Sequence, residues 1–213
     1  MKIKKIGQCC LLIKANSLTI LTDPGAFSVK QNSVMGIDVI LITHEHADHL
    51  HIASLQEILK NNSNAQVITN SGVGKKLDEV SIVYSLVEGR NSIDVNGIAI
   101  ESFDGKHEEI FEEVGQVQNT GYFIDNKLFY PGDSFHNPER PVDVLALPVA
   151  GPWCKIPDVI RYALSVKPKK AFPVHDGMLQ KERIGSSHKI PEMVLSQKGI
   201  EFIVMNEGDE MEL

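Results

Sequence analysis

The sequence predicts a mixed α/β (α+β) domain built from two β-sheets with helices packed outside them. Three observations lead there. Short strands rich in β-branched residues come in clusters in both halves of the chain. Segments with helical spacing separate those clusters. No internal repeat, low-complexity tract or Pro/Gly/Ser linker interrupts the chain, so residues 1–213 read as one domain.

Three short strands open the chain, at Lys2–Ile6, Cys9–Lys14 and Leu18–Thr22, with Ala15-Asn16-Ser17 as the turn between the last two. Asp38–Thr43 is a nearly continuous β-branched run, the pattern of a buried strand. Ile52, Leu55, Ile58 and Leu59 fall on one face of a helix over Ile52–Lys60. A strand at Gln66–Thr69 and a helix over Val73–Glu79 follow, and Asn70-Ser71-Gly72-Val73-Gly74-Lys75 lacks phosphate-loop spacing and reads as the turn joining them. Asn96-Gly97 marks a hairpin between Ser92–Val95 and Ile98–Phe103. Asp125-Asn126-Lys127 turns Thr120–Ile124 into Leu128–Tyr130, and Val142–Pro148 is a second buried strand. Pro157 suits the first turn of a helix reaching Val166. Ala171–Val174 is a strand, Pro191–Lys198 a helix stopped by Gly199, and Glu201–Met205 a last strand.

Composition narrows the function classes. With 42% apolar and 23% charged residues the chain is neither disordered nor collagen-like. Its apolar runs, such as Ile37–Ile42 interrupted by Asp38, fall far short of the ~20 residues that span a bilayer, so no membrane association is expected. Cys9–Ile13, bounded by Gln8 and Lys14, is too short for the apolar core of a signal peptide. The three cysteines, Cys9, Cys10 and Cys154, contain no C-x-x-C, which points to a reducing, cytoplasmic setting. Adjacent cysteines on a strand face opposite sides, so Cys9 and Cys10 read as packing residues. A net charge of −7 argues against a nucleic-acid partner.

The decisive segment is Asp38–Leu50, DVILITHEHADHL, in which His44, His46, Asp48 and His49 form an H-x-H-x-D-H pattern at the end of a buried strand. Three imidazoles and a carboxylate within six residues are expensive to bring together unless a cation binds them, and they suit zinc and its first-row neighbours.

Thr43–Leu50 resembles the signature of the metallo-β-lactamase superfamily. Further matches follow in that superfamily's order: Asp23 in Leu21-Thr22-Asp23-Pro24, His107 in Asp104-Gly105-Lys106-His107, Asp133 in Tyr130-Pro131-Gly132-Asp133-Ser134, and His175 in Phe172-Pro173-Val174-His175. Together they cover about residues 6–205. Chain length and Gly151-Pro152-Trp153 after Leu147-Pro148 look like the small hydrolase branch that includes ascorbate-phosphate lactonases. The resemblance implies a four-layer αββα sandwich with metals at the sheet edges. It implies that His44, His46 and His107 hold one metal, that Asp48, His49 and His175 hold a second, and that Asp133 bridges them. Asp23 would orient a ligand imidazole through its other nitrogen.

From that ligand set the chemistry follows. Two divalent cations, zinc foremost with manganese and iron as alternatives, ~3.5–4 Å apart, share a water and supply hydroxide near neutral pH. The expected function is metal-dependent hydrolysis of a small molecule: a lactone, phosphoester or other ester or amide. Asp48 and Asp133 are the catalytic carboxylates, Asp48 also orienting the water. A mononuclear iron oxygenase and a non-catalytic metal-binding module are the alternatives.

Other residues carry secondary expectations. His136, three residues after Asp133, is either a loop residue or a substrate-binding or proton-donating group. His188, in Gly185-Ser186-Ser187-His188, is read on a flexible loop at the same sheet edge, where it is a candidate catalytic or pocket residue. Trp153 and Lys155 are candidate substrate-binding residues, a pocket wall and an anion contact, which favours an anionic substrate. His51 reads as a solvated residue at a helix start, and Glu108, Glu109, Glu112 and Glu113 as a solvated face.

Overall fold

The computed structural model describes residues 1–180, 182 and 184–213. The N-terminal half supplies β1 (Lys2–Gly7), β2 (Cys10–Ala15), β3 (Leu18–Thr22), β4 (Val39–Leu41), β5 (Gln66–Thr69) and β6 (Ser85–Leu86), with α1 (Ile52–Asn61) and α2 (Ser71–Asp78) between them. The second half supplies β7 (Ser92–Val95), β8 (Ile98–Lys106), β9 (Gln118–Ile124), β10 (Leu128–Tyr130) and β11 (Val144–Pro148). It continues with α3 (Ile156–Val166), β12 (Lys170–Val174), α4 (Gly185–Ser196) and β13 (Glu201–Phe202). The closing strand β14 (Glu210–Glu212) returns to the first sheet and pairs with β1, placing Met211 opposite Ile3. The sheet orders are β14-β1-β2-β3-β4-β5-β6 and β13-β12-β11-β10-β9-β8-β7. In each sheet an antiparallel meander passes into parallel strands, β3 to β6 in one and β10 to β13 in the other, and α1–α4 join β4 to β5, β5 to β6, β11 to β12 and β12 to β13.

Strand alternation explains the layering. Val39 and Leu41 of β4 enter the core between the sheets, while Ile40 and Ile42 face outward onto Leu55 and Ile58 of α1 and Val73 and Leu77 of α2. In β11, Val144 and Ala146 point between the sheets, and Leu145 and Leu147 meet Val159 and Ala163 of α3 and Leu195 of α4. Three apolar cores therefore separate four layers, helices–sheet–sheet–helices, as anticipated. Each of the two buried-strand runs has apolar contacts on both faces, which is why neither alternates in hydropathy.

Several boundaries differ from the sequence reading. β4 stops at Leu41, because the Thr43 amide leaves the ladder for Asp23 Oδ1 at 2.8 Å. The helix after β5 begins at Ser71, since Asn70 caps it by accepting from Val73 N at 3.0 Å. The last predicted strand shortens to Glu201–Phe202. α4 starts six residues before Pro191, which lies inside the helix and leaves the Ser187 carbonyl without its usual donor. His188 is consequently helical and buried, not on an open Gly/Ser loop. Among the described residues no helix is long and apolar enough to cross a membrane.

Candidate metal centre

The candidate ligands converge on one end of the sandwich from loops that leave both sheets. His44 follows β4 by three residues, His107 directly follows β8, Asp133 follows β10 by three, and His175 directly follows β12. All four, with His49, are buried, whereas His46 and Asp48 are half-exposed and form the open side. The Gly25 backbone lies against Asp48, and a Cβ there would fall 1.8 Å from the Asp48 carbonyl oxygen. Only glycine lets the segment after β3 pass so close beneath the histidine loop.

Asp133 is the hub. Its carboxylate oxygens lie 2.8 Å from His175 Nε2, 3.2 Å from His49 Nε2, 3.3 Å from His107 Nε2 and 3.8 Å from His44 Nε2. Asp48 Oδ2 lies 3.2 Å from His175 Nε2 and 3.6 Å from His49 Nε2. On the other side the rings of His44, His46 and His107 meet with centroids 4.6–5.1 Å apart. The donor atoms resolve into two groups, each within 4.8 Å: His44, His46 and His107 in one, and Cys9, His49, Asp133 and His175 in the other.

Three of the imidazoles, those of His44, His49 and His107, are aimed through their second nitrogen. His49 Nδ1 donates to Asp23 Oδ2 at 2.7 Å, and His107 Nδ1 donates to the Glu108 carbonyl at 2.6 Å. Thr43 Oγ1 donates to Asp23 at 2.8 Å, which leaves it to accept from His44 Nδ1 at 3.0 Å. Asp23, held also by Tyr130 OH at 2.5 Å and by Thr43 N, therefore orients two imidazoles, one directly and one through Thr43. His175 adopts a left-handed backbone conformation, φ 62°, and its amide donates to the Gln8 carbonyl. Asn119 anchors the hub by accepting from Asp133 N at 3.0 Å and donating to Pro131 O at 2.8 Å.

The residues fit a divalent cation on three counts. His44 Nε2, His49 Nε2, His175 Nε2 and Asp133 Oδ1 are buried and have no hydrogen-bond partner among the described residues. Such orphaned groups are costly unless something else satisfies them. His175 Nε2 is close to Asp133 but misaligned for a hydrogen bond, as groups sharing a cation would be. Burial would lower the imidazoles of His49 and His175, yet Asp133 raises both well above the ordinary histidine range. The hub demands positive charge beside it. Burial holds His44 and His46 below that range, in the neutral form that donates a lone pair.

The remaining sequence expectations divide. Trp153 is buried with its ring edge-on to His107 and His175, centroids 5.6 Å away in each case, so it lies beside one imidazole of each donor group. Lys155 is exposed at the N-cap of α3. His136 packs on Phe103, its carbonyl accepts from Tyr162 OH, and Arg90 is the cation that acts on it after burial itself. His188 donates to Asp176 Oδ2 at 2.8 Å. The His188 ring is thus engaged by Asp176, whereas His136 bonds only through its backbone and its buried Nε2 has no hydrogen-bond partner among the described residues. His51 occupies the N-cap position of α1, where its side chain caps no backbone amide and its Nδ1 lies 2.9 Å from Ser54 Oγ.

Three contributors escaped sequence reading. Gln8, with a left-handed φ of 49°, donates from Nε2 to Asp48 Oδ2 at 2.9 Å and accepts from Gly177 N at 2.8 Å. It ties the histidine loop to the segment after β12. Lys5 is 1% exposed and donates to Asp176 Oδ2 and to the carbonyls of Pro173 and Met205. Cys9 lies in the β1–β2 turn with its sulfur beside His49, Asp133 and His175. A lysine in an alternating strand and a glutamine in a turn carry no sequence signal for such roles.

Two stacked sheets flanked by helices, with a histidine–aspartate cluster where their loops meet, define a protein of the metallo-β-lactamase fold. The model of the beta-lactamase superfamily domain matches residues 2–175, and the chain belongs to that superfamily. It is 30% identical over 190 residues to Protein Rv0786c of Mycobacterium tuberculosis, covering 87% of this chain and 88% of that protein. It is 25% identical over 187 residues to a UPF0173 metal-dependent hydrolase of Methanocaldococcus jannaschii, covering 84% of each. Among solved structures, the metallo-beta-lactamase fold protein YhfI from Bacillus subtilis aligns with a TM-score of 0.76 at 15% identity, covering 99% of this chain and 98% of that one. The metallo hydrolase Igni18 from Ignicoccus hospitalis aligns with a TM-score of 0.73 at 18% identity over 100% of this chain and 98% of the other.

Proposed function

We propose that this chain is a metal-dependent hydrolase of small molecules with two cation sites. The observation that carries the reading is the pair of adjacent donor groups, three imidazoles in one and His49, His175 and Asp133 in the other, with orphaned buried atoms facing inward. His44, His46 and His107 would hold one ion, and Asp48, His49 and His175 the other, with Asp133 between them. Bound there, divalent cations supply Lewis acidity toward a carbonyl or phosphoryl oxygen and bring the ionisation of water near neutrality.

The chain's own residues do the rest. Asp48 keeps one side half-exposed and is pinned by Gln8, so a carboxylate oxygen stands ready to accept a hydrogen bond from an attacking water. Asp23 and the Glu108 carbonyl keep Nδ1 of His49 and His107 protonated and their Nε2 lone pairs turned inward. Trp153 closes the wall over His107 and His175 and excludes water from that side.

Elemental analysis of protein purified without added metal, then dialysed against a trace of zinc or manganese, tests the reading. Two ions per chain are expected, followed by turnover within a panel of lactones, phosphoesters, thioesters and amides. Folded protein with a reproducible metal content near zero refutes it. Lys155→Ala, assayed on the anionic members of the panel, decides whether that exposed lysine meets the substrate.

A further inference from the structure

Cys9 belongs to the turn between β1 and β2 and is 1% exposed. Its backbone is fixed from two sides, because the Cys9 carbonyl accepts from Thr22 Oγ1 at 2.8 Å and from Tyr130 OH at 2.9 Å. The next residue, Cys10, turns outward to join Leu21 and Ile40 beneath α1, while Cys9 faces inward between the sheets. There its sulfur, a carboxylate oxygen of Asp133 and ring nitrogens of His49 and His175 all lie within 4.8 Å of one another. Donor atoms at about 2.0–2.3 Å from a common cation stand no more than roughly 4.6 Å apart, so an ion drawing these four side chains together by a few tenths of an ångström would be held by all of them.

The neighbours make this more than a buried thiol. His49 Nε2, His175 Nε2 and Asp133 Oδ1 are each fully or almost fully buried and have no hydrogen-bond partner among the described residues. A cysteine packed only for its volume would have apolar groups on that side.

Resting on the two-cation reading above, we propose that Cys9 is a thiolate ligand of the ion held by Asp48, His49, Asp133 and His175. On binding, the S–H bond breaks, the proton passes to buffer, and a sulfur–metal bond forms with no change in the oxidation state of sulfur. The two sites then differ in kind. One offers three imidazole nitrogens, and the other adds a soft sulfur donor that favours zinc, cobalt or iron over manganese.

Cobalt(II) separates this assignment from the reading on which it rests. Apo-protein of full length is titrated with cobalt(II), the bound metal is counted by elemental analysis, and the absorption spectrum is recorded. A thiolate-to-cobalt charge-transfer band in the near ultraviolet is expected to grow as the sites fill. It persists in Cys10→Ala and Cys154→Ala, made singly, and disappears in Cys9→Ser. Two cobalt ions per chain without that band overturn the Cys9 assignment and leave the metal centre standing. Failure to bind cobalt at all overturns both. A band that vanishes with Cys10→Ala or Cys154→Ala, in protein that still binds cobalt, assigns the sulfur elsewhere. Should Cys9→Ser not fold, the wild-type spectrum and the other two variants still decide.

Discussion

His49 Nδ1 and Asp23 Oδ2 stand 2.7 Å apart with both side chains fully out of solvent. The same carboxylate holds Thr43 and Tyr130, so one buried acid sets the orientation of the histidine loop and of β10 together. Asp23→Asn keeps the shape and loses the charge. A fall of roughly 10–100-fold in zinc affinity is expected, as for other partners behind a ligand imidazole. Competition with a chromophoric chelator measures it; unchanged affinity in a folded variant would show that Asp23 serves the fold alone.

His107→Ala is expected to cost about one metal ion per chain, because its Nε2 faces both Asp133 and the other two imidazoles of its group. His136→Ala and His188→Ala are expected to retain both ions, since their contacts go to Phe103 and Asp176. Metal content after gel filtration distinguishes the three. Loss of an ion from His136→Ala or His188→Ala with His107→Ala intact would reverse the assignment.

Lys5, Asp176 and His188 form a buried charged group behind His175. Burial alone would raise the Asp176 carboxyl, but the His188 hydrogen bond and the Lys5 ammonium outweigh it and hold it below the ordinary range. A carboxylate depressed in this way adds stability that is fully present above its unfolded value near pH 4 and fades as pH falls through its folded value. Lys5→Met removes the ammonium and leaves the carboxylate buried. A loss of about 3 kcal/mol is expected from the denaturant midpoint at neutral pH, with a shallower acid dependence than wild type. An unchanged midpoint would show that His188 alone satisfies Asp176.

Trp153 is the chain's single tryptophan and touches one histidine from each donor group. Its fluorescence is therefore expected to fall as cobalt(II) fills the centre and to change less on zinc binding. A flat signal during a titration that loads two ions would place the indole elsewhere in solution.

The fold was legible because its periodicities were strong. The runs around β4 and β11, the Asn96-Gly97 hairpin and the amphipathic spacing of α1 each encode their layer locally. What stayed hidden was local structure set by distant partners. β6 and β14 are strands of two and three residues that exist only because β5 and β1 offer open edges. Pro191 read as a helix start, yet α4 runs through it because Ser187, His188 and Leu195 are buried on either side. The histidine motif announced its own cluster, since its residues are adjacent in sequence. Gln8 and Cys9 reach it only through the turn that carries β1 into β2, and no spacing in the sequence relates them to residues 48 or 175.

The centre draws His44, His46, Asp48 and His49 from the first sheet, and His107, Asp133 and His175 from the second. This division has a meaning during synthesis. The first quartet leaves the ribosome long before the Asp133 hub exists, and it meets its partners only when the second sheet closes over the first. A growing chain thus presents an unfinished set of donors, and any ion the finished centre holds is captured late, as the two halves join. An ion bound there would work as a clasp: at a free concentration a thousandfold above its dissociation constant it would add about 4 kcal/mol to the hold of one half on the other. Metal supply would then set how much of this protein persists as well as how much of it is active.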